Sequence, residues 1–122
     1  MGLNINLGTA DLAVAKKIAK AIYPRKGGLV NIKAMGTKLE ERGITQIGIS
    51  NVDYEKNPIY RPFELVKIEA ARYGIPFVGS ELIGMVPLGA LVDAVKYYLQ
   101  LEGFKREQIL ELFLLEDGME QG

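Results

Sequence analysis

The sequence predicts an α+β fold built on one small sheet, and three observations support this prediction. Four short segments are apolar or alternate apolar and polar residues with period two, which is typical of strands. Two segments between them repeat apolar residues every three or four positions, which is typical of amphipathic helices. The order along the chain is strand, helix, strand, strand, helix, strand, and further helical segments follow.

The chain begins with a predicted strand and a predicted helix. LNINL, residues 3–7, alternates apolar and polar residues. The helix is expected over residues 10–23, because its apolar residues follow helical spacing, with Thr9 as the N-cap and Asp11 in the first turn. Pro24 and the glycine pair that follows are expected to end this helix.

Two further strands are predicted by alternation, LVNIKAM at 29–35 and ITQIGISNV at 44–52, and the polar segment 36–43 connects them. The second helix is expected to begin near Tyr60, with Pro62 in its first turn. Its buried stripe is predicted to consist of Ile59, Phe63, Val66, Ala70 and Tyr73.

The remaining elements follow from turn residues and apolar spacing. Gly74 is suited to the C′ position of the second helix, and IPFVGS at 75–80 predicts the fourth strand. A third helix is expected to begin at Pro87 and to end at Gly103, and residues 104–116 suit a short helix, either alone or followed by a strand. The predicted apolar face of the third helix consists of Leu88, Leu91, Val92, Val95, Tyr98 and Leu99.

The order β-α-β-β-α-β is that of a ferredoxin-like fold, here followed by C-terminal helices. Such a fold has one antiparallel four-stranded sheet with both helices on one face, so the other face is open to a partner, a ligand or another sheet. We expect one domain over residues 1–122, because no linker divides the chain.

Composition excludes several classes of function. Fifteen Lys and Arg balance fifteen Asp and Glu, so no global field attracts nucleic acid or an anionic membrane, and no apolar run is long enough for a membrane span. The chain has no cysteine, which fits a cytoplasmic protein and excludes thiolate chemistry. It also has no histidine, so a Ser-His-Asp triad and a zinc site of the usual type are excluded. We therefore assign no catalytic residue and no metal ligand.

Strand parity predicts which side chains lie on the open face of the sheet. The predicted set is Asn4, Asn6, Asn31, Lys33, Gln46, Gly48 and Ser50. Amides offer both donors and acceptors, so this face can hydrogen-bond a polar heteroaromatic ligand. The alternative is that the face is simply solvated, as in many antiparallel sheets. RNA binding of the RRM type is not supported, because these strands place no aromatic residue in the set.

The segment VGSELIGMVP, 78–87, invites two chemical interpretations. Gly79 and Gly84 have the spacing of a Walker A loop, but no Lys-Ser/Thr pair follows, so a phosphate loop is excluded. Ser80 and Glu81 are neighbours on an extended segment and point to opposite faces, so they cannot act as nucleophile and base. The acidic residues of the polar segment 36–43 include Glu41. They either contact a pterin-like edge of a ligand or lie in a solvated turn.

Three stretches together resemble a known family. They are LNINLGTADLAVAKKIAKAI, KAMGTKLEERGITQIGISNVDYEK and YRPFELVKIEAARYGIPFVGSELIGMVPLGALVDAVKYYLQLEGF. They are similar to the C-terminal subdomain of glutamate formiminotransferase, which also occurs in formiminotransferase-cyclodeaminase, and the resemblance covers residues 3–116.

The resemblance implies transfer of a formimino group from N-formiminoglutamate to tetrahydrofolate, a one-carbon reaction of histidine degradation. In the family, folate lies between two ferredoxin-like subdomains, and the catalytic histidine belongs to the N-terminal one. By alignment, Asn4 and Glu41 are the positions carried over as folate contacts. With the open-face residues and the end of the fourth strand, the predicted folate and substrate site consists of Asn4, Asn6, Lys33, Glu41, Gln46, Ser50, Ser80 and Glu81.

We therefore expect the folate-binding half of a formiminotransferase that is inactive without the N-terminal subdomain. Its expected partners are folate, formiminoglutamate, that subdomain and further copies of itself, which would associate through the open face or a strand edge. The alternative is a stand-alone ferredoxin-like module that binds small molecules or assembles without catalysis.

Overall fold

The computed structural model describes residues 1–22, 31–51 and 53–121, and it describes side chains as far as residue 116. The strands are β1 (Gly2–Leu7), β2 (Ile32–Leu39), β3 (Ile44–Asn51) and β4 (Phe77–Ile83). The helices are α1 (Leu12–Ile22), α2 (Tyr60–Arg72), α3 (Leu88–Leu99) and α4 (Leu110–Gln121), and a 3-10 turn at Arg106–Gln108 precedes α4.

The described strands form one antiparallel sheet in the order β2-β3-β1-β4. This order and the two intervening helices confirm the predicted ferredoxin-like arrangement. The core lies between one face of the sheet and helices α1 and α2. Its fully buried side chains include Ile5 and Leu7 of β1, Ile18 of α1, Ile47 of β3 and Val66 of α2. Each aliphatic side chain contributes about 1.5–3 kcal/mol through burial.

The hairpin between β2 and β3 is tighter than the sequence predicts. β2 extends to Leu39, so most of the predicted connection at 36–43 is strand and only a short turn, 40–43, remains. Gly43 closes this turn with φ +64°, a conformation that glycine adopts without strain. At the other end β2 begins at Ile32, and residues 29 and 30 of the predicted strand lie outside the described residues.

Helix α1 begins with a different cap from the predicted one. Asp11 is the N-cap residue, because its Oδ1 accepts hydrogen bonds from the backbone N–H of Ala13 at 3.0 Å and of Val14 at 3.3 Å. Thr9 Oγ1 instead accepts a hydrogen bond from the backbone of Asp11 at 3.2 Å, so the prediction of Thr9 as the cap is wrong. The predicted end of this helix, at Pro24, lies outside the described residues.

Helix α1 packs directly on the sheet at Gly36 of β2. A Cβ atom on this glycine would lie 2.9 Å from the backbone carbon of Ala15 and 3.0 Å from the backbone nitrogen of Lys16. The close approach of two backbones therefore requires glycine at this position.

Helix α2 begins at Tyr60 and ends as predicted. Gly74 has φ +67°, its N–H donates to the Ala71 carbonyl, and the Ile75 N–H donates to the Ala70 carbonyl. These bonds form a Schellman motif and satisfy two terminal carbonyls of the helix. Val66 and Ala70 of the predicted stripe are buried, but Tyr73 is exposed because it is already the C-cap residue.

Strand β4 and helix α3 differ from the prediction. β4 continues to Ile83 because it pairs with β1 to its first residue, Gly2. α3 begins after the N-cap Pro87, as predicted, but it ends at Leu99, where Gln100 takes a left-handed conformation, rather than at Gly103. The predicted apolar face of α3 is not buried in the described structure, in which Ala90 is the buried residue of this helix.

Candidate functional site

The open face of the sheet is defined by three rows of residues that pair across the strands. The first row is Lys33, Ser50, Gly2 and Ile83; the second is Met35, Gly48, Asn4 and Glu81; the third is Thr37, Gln46, Asn6 and Gly79. Six of the eight predicted site residues thus share one face, and they are Asn4, Asn6, Lys33, Gln46, Ser50 and Glu81. We call this surface the open face.

A hydrogen bond fixes two amides at the centre of the third row. Gln46 Nε2 donates to Asn6 Oδ1 at 2.9 Å, and Asn6 is only 4% exposed. In this orientation the Asn6 Nδ2 group is a donor and the Gln46 Oε1 atom is an acceptor for a further partner. A hydrogen bond between side chains that pair across two strands also limits their rotation, so the donor and acceptor positions are defined before a ligand binds.

Two glycines, Gly48 and Gly79, leave part of the open face without side chains. A Cβ on Gly48 would lie 3.4 Å from Asn4 Oδ1, which is ordinary contact, and a Cβ on Gly79 would meet no atom within 4 Å. A flat ring can therefore approach the strand backbone between the amide side chains.

Charges lie at the two edges of the open face. Glu81 on β4 pairs in register with Asn4, and Lys33 on β2 pairs with Ser50. Both charged side chains belong to exposed residues. The face therefore carries a hydrogen-bonding centre, a carboxylate at one edge and an ammonium group at the other.

Two predicted site residues lie elsewhere. Ser80 pairs with Ile5, so it lies on the helix-covered side of the sheet, opposite to Glu81, as the alternation of side chains predicts. Glu41 is exposed in the turn between β2 and β3, beyond the last paired residues, Leu39 and Ile44. This turn lies at the end of the sheet nearest the row that contains Asn6.

One residue of the predicted set lies elsewhere, and two residues of the open face were not in that set. Asn31 was expected on the open face, but it precedes β2 in a turn with φ +63°, a conformation that asparagine tolerates. Met35, which is 66% exposed, and Thr37 both belong to the face. Parity already put Met35 there, whereas Thr37 was missed because its segment was interpreted as a connection.

Ser80 lines a separate groove of about 190 Å³ on the helix side of β4. The groove is bounded by Leu3, Ile59, Tyr60, Phe63, Ser80, Leu82, Ala94 and Tyr98. Its walls are largely apolar or aromatic, so it differs in chemistry from the open face.

An aromatic group holds α3 beside α2 at this groove. Tyr60 stacks on Tyr97 with ring centroids 3.9 Å apart, and Phe63 meets Tyr98 edge to face at 6.3 Å. The Tyr98 hydroxyl donates to Glu64 at 2.8 Å. Burial and this carboxylate raise the pKa of Tyr98 well above its usual value, so its hydroxyl stays protonated at neutral pH and cannot act as a base.

Metal and membrane sites find no support in the part of the chain that the structure describes. Among those residues, no group of three Asp or Glu side chains is arranged to hold a metal ion. No helix within the described ranges is long and apolar enough to cross a bilayer.

Comparison with known proteins gives a consistent result. The model of the formiminotransferase domain matches residues 2–118. The glutamate formimidoyltransferase of Thermoplasma acidophilum is 48% identical over 108 residues, which is 88% of this chain and 36% of that protein. The enzyme of the same name from Streptococcus pyogenes serotype M1 is 47% identical over 116 residues, or 94% of this chain and 39% of that protein.

A longer relative matches as well. The formimidoyltransferase-cyclodeaminase of Sus scrofa is 36% identical over 91 residues, which cover 75% of this chain and 15% of that protein. The chain thus spans less than two fifths of the length of the relatives it matches. Because the domain model covers nearly the whole chain, this chain belongs to the formiminotransferase domain family.

Proposed function

We propose that this chain is the folate-binding half of a glutamate formiminotransferase and that its open face binds tetrahydrofolate. The observation that carries the proposal is the group of amides at Asn4, Asn6 and Gln46 beside the glycine Gly48. The names of the two glutamate formimidoyltransferases among the relatives support the substrate class.

The pterin ring of a folate suits a surface of this chemistry. It is flat, and its edge combines hydrogen-bond donors and acceptors, which primary amides complement. The Gln46–Asn6 hydrogen bond gives that surface a defined donor and a defined acceptor. Gly48 leaves room for the ring to lie against the strands.

A carboxylate is the expected partner for the guanidine-like edge of the pterin, since it can accept two parallel N–H bonds. Glu81 shares the open face with Asn4, whereas the family resemblance favours Glu41 in the hairpin turn. Glu81→Gln and Glu41→Gln separate the two assignments. The variant that loses at least tenfold in folate affinity, about 1.4 kcal/mol, identifies the carboxylate that binds the ring.

Formimino transfer also requires movement of a proton. The folate N5 atom attacks the formimino carbon of formiminoglutamate, the bond from that carbon to the glutamate nitrogen breaks, and N5 loses a proton while the departing nitrogen gains one. The family resemblance implies that a histidine of the N-terminal subdomain moves this proton, and this chain has no histidine, so we assign the proton-transfer group to the remaining part of the enzyme. The residues of this chain would bind and orient the folate, with Lys33 available to a substrate carboxylate.

An uncovered apolar surface on helix α4 supports a partner domain. Its exposed apolar side chains are Leu110, Phe113, Leu114 and Leu115. An apolar patch of this kind usually marks an interface. The remaining part of a transferase, which in the relatives exceeds three fifths of the length, is the proposed partner for this surface.

Calorimetry with a tetrahydrofolate derivative tests the proposal, first with this chain alone and then with this chain mixed with the remaining part of the Thermoplasma relative. We expect binding in the mixture, and we expect Gly48→Leu to abolish it by filling the centre of the open face. Gly48→Ala is the matched control, since its methyl group fits at 3.4 Å from Asn4. Absence of binding by the mixture would refute the proposal.

The same mixture distinguishes the transferase from a binding module. Formimino transfer that requires both parts supports the half-enzyme. Folate binding without transfer in any combination would instead favour a stand-alone ferredoxin-like module, an alternative supported by the absence of histidine in this chain.

A further inference from the structure

Met35 is the apolar side chain of the second row of the open face. It lies on β2 in register with Gly48 and is 66% exposed. Because Gly48 has no side chain, Met35 directly borders the space above that glycine, and Asn4 borders the same space from β1. A single exposed apolar residue is ordinary on a protein surface, so Met35 is informative only through its neighbours on this face.

The charges of the open face give it a direction. Lys33 lies two positions before Met35 on β2, and Glu81 lies on β4 at the opposite edge of the sheet. Neither side chain forms an ion pair with another residue that the structure describes. β2 and β4 are separated by three inter-strand spacings, which amount to about 14 Å. The face therefore offers an ammonium group at one edge and a carboxylate at the other, and both are available to a ligand.

A folate carries groups of complementary chemistry in the same order. The guanidine-like edge of its pterin donates hydrogen bonds, which a carboxylate such as Glu81 accepts. Its glutamate, at the opposite end of the molecule, is negatively charged and complements Lys33. The reverse direction would bring the glutamate carboxylates beside Glu81, and the juxtaposition of like charges is unfavourable. The benzoyl ring, which joins the two ends, is apolar.

We propose that the folate crosses the strands with its pterin toward Glu81 and its glutamate toward Lys33, and that Met35 packs against the benzoyl ring between them. This inference rests on the proposed function, in which the open face binds tetrahydrofolate. Methionine suits the contact, because its side chain is flexible and its sulfur interacts favourably with aromatic rings. Met35 is thus the residue that distinguishes a complete folate from a pterin alone.

The other large apolar side chain of the open face does not offer the same contact. Ile83 belongs to the first row, which contains none of the three amides at Asn4, Asn6 and Gln46. It lies on β4, the strand that carries Glu81. A benzoyl ring on Ile83 would therefore bring the attached glutamate toward the negative edge, whereas Met35 shares its strand with Lys33.

Two ligands separate the contact with Met35 from the rest of the site. They are tetrahydrofolate and a tetrahydropterin with a methyl group in place of the benzoylglutamate, and each is titrated into the mixture of this chain with the remaining part of the Thermoplasma relative. Met35→Ala should weaken binding of tetrahydrofolate about tenfold, because the apolar contact is lost, and leave binding of the tetrahydropterin unchanged. Met35→Leu is the matched control and should retain most of the affinity, since it keeps the apolar volume. Lys33→Gln should also weaken only the binding of tetrahydrofolate.

Nuclear magnetic resonance shows the contact directly. The chain has four methionines, which are isotopically labelled at their methyl carbons, and Met35→Leu identifies the Met35 signal by its loss. All aromatic C–H protons of tetrahydrofolate belong to the benzoyl ring, because its pterin is reduced. We expect a nuclear Overhauser effect between these protons and the Met35 methyl group. We expect none at Met85, which is 95% exposed and lies outside the three rows.

The results distinguish this inference from the proposed function. If the unmodified mixture binds neither ligand, the proposed function fails and the inference fails with it. If the mixture binds tetrahydrofolate but Met35→Ala weakens both ligands equally, or neither, only the role of Met35 is overturned. An Overhauser effect at Met35 from the pterin protons instead of the benzoyl protons would overturn the direction of the ligand and favour Glu41 as the partner of the pterin.

Discussion

Gly36 and Gly48 offer a stringent comparison, because they are glycines in adjacent strands with different surroundings. A methyl group at Gly36 would lie 2.9 Å from a backbone carbon of Ala15 in helix α1. This is about 0.6 Å short of the ~3.5 Å at which two carbon atoms make favourable contact. The atoms that it meets belong to the helix backbone, so no side-chain rotation can relieve the overlap.

Gly36→Ala should therefore destabilise the fold by forcing α1 away from the sheet. Adding a methyl group to a close-packed site costs about 1–3 kcal/mol, and the lower chain entropy of alanine in the unfolded state returns about 0.4–1 kcal/mol. Gly48→Ala gains the same entropic term without the overlap, since its nearest contact would be 3.4 Å. The difference in unfolding free energy between the two variants should thus be about 1–3 kcal/mol, because the unfolded-state term cancels.

Urea unfolding followed by circular dichroism, with all proteins at one concentration, measures this difference. The midpoint for Gly36→Ala should fall and that for Gly48→Ala should stay level or rise, while the slopes remain similar. Equal midpoints for the two variants would show that α1 does not pack on β2 at Gly36.

Three further outcomes follow from individual contacts. Asp11→Ala should cost about 1 kcal/mol in urea unfolding, because two N–H groups at the start of α1 lose their acceptor, and Asp11→Ser should restore most of it. Ile5→Ala should cost about 2–5 kcal/mol in the same assay, since this side chain is fully buried, whereas Ile5→Val should cost about 0.5–1.5 kcal/mol. The raised pKa of Tyr98 favours its protonated form in the folded state, so stability should decline as the pH rises above about 10. Tyr98→Phe should remove part of that decline in thermal unfolding, and an unchanged pH dependence would contradict the assignment.

The strands and the open face could be predicted largely because they depend on a local signal. Alternation with period two in LNINL and ITQIGISNV puts aliphatic side chains on one side and amides on the other, and a core needs only one such side. The pattern therefore predicted that Asn4, Asn6 and Gln46 share one face of the sheet, without knowledge of the strand register. Their pairing, and the hydrogen bond between Asn6 and Gln46, required the sheet order.

Two of the errors have a different cause, which is contact between segments distant in sequence. The residues around Gly36 predicted a connection, yet Gly36 lies inside β2. The backbone of α1 approaches it so closely that a side chain would not fit there. The fourth strand was predicted to end at Ser80, yet its pairing with β1 continues as far as Ile83. The residues around Gly36 do not indicate that α1 packs there, and the residues around Ser80 do not indicate how far β1 is available for pairing.

Helix α3 shows what periodicity does and does not predict. The spacing of Leu91, Val95 and Tyr98 correctly indicates a helix with an apolar side. It does not indicate what covers that side, and within the described residues α3 meets α2 through Tyr97 and Tyr98 while Leu91 and Val95 stay exposed. Apolar periodicity predicts that burial is required, and the partner that provides it can belong to another chain or another part of the same protein.

The two sides of the sheet can therefore be tested separately. On the helix side, Gly36 is required by packing, so its substitution should change unfolding before it changes binding. On the open face, Gly48 has room for a methyl group and lies away from the helices, so Gly48→Leu should change folate binding with a smaller loss of stability than Gly36→Ala causes. If Gly48→Leu instead lowered stability as much as Gly36→Ala, the open face would be a packed surface rather than a ligand surface. The effects of the Gly36 and Gly48 substitutions on unfolding and on folate binding thus decide whether the amides of β1 and β3 serve binding or folding.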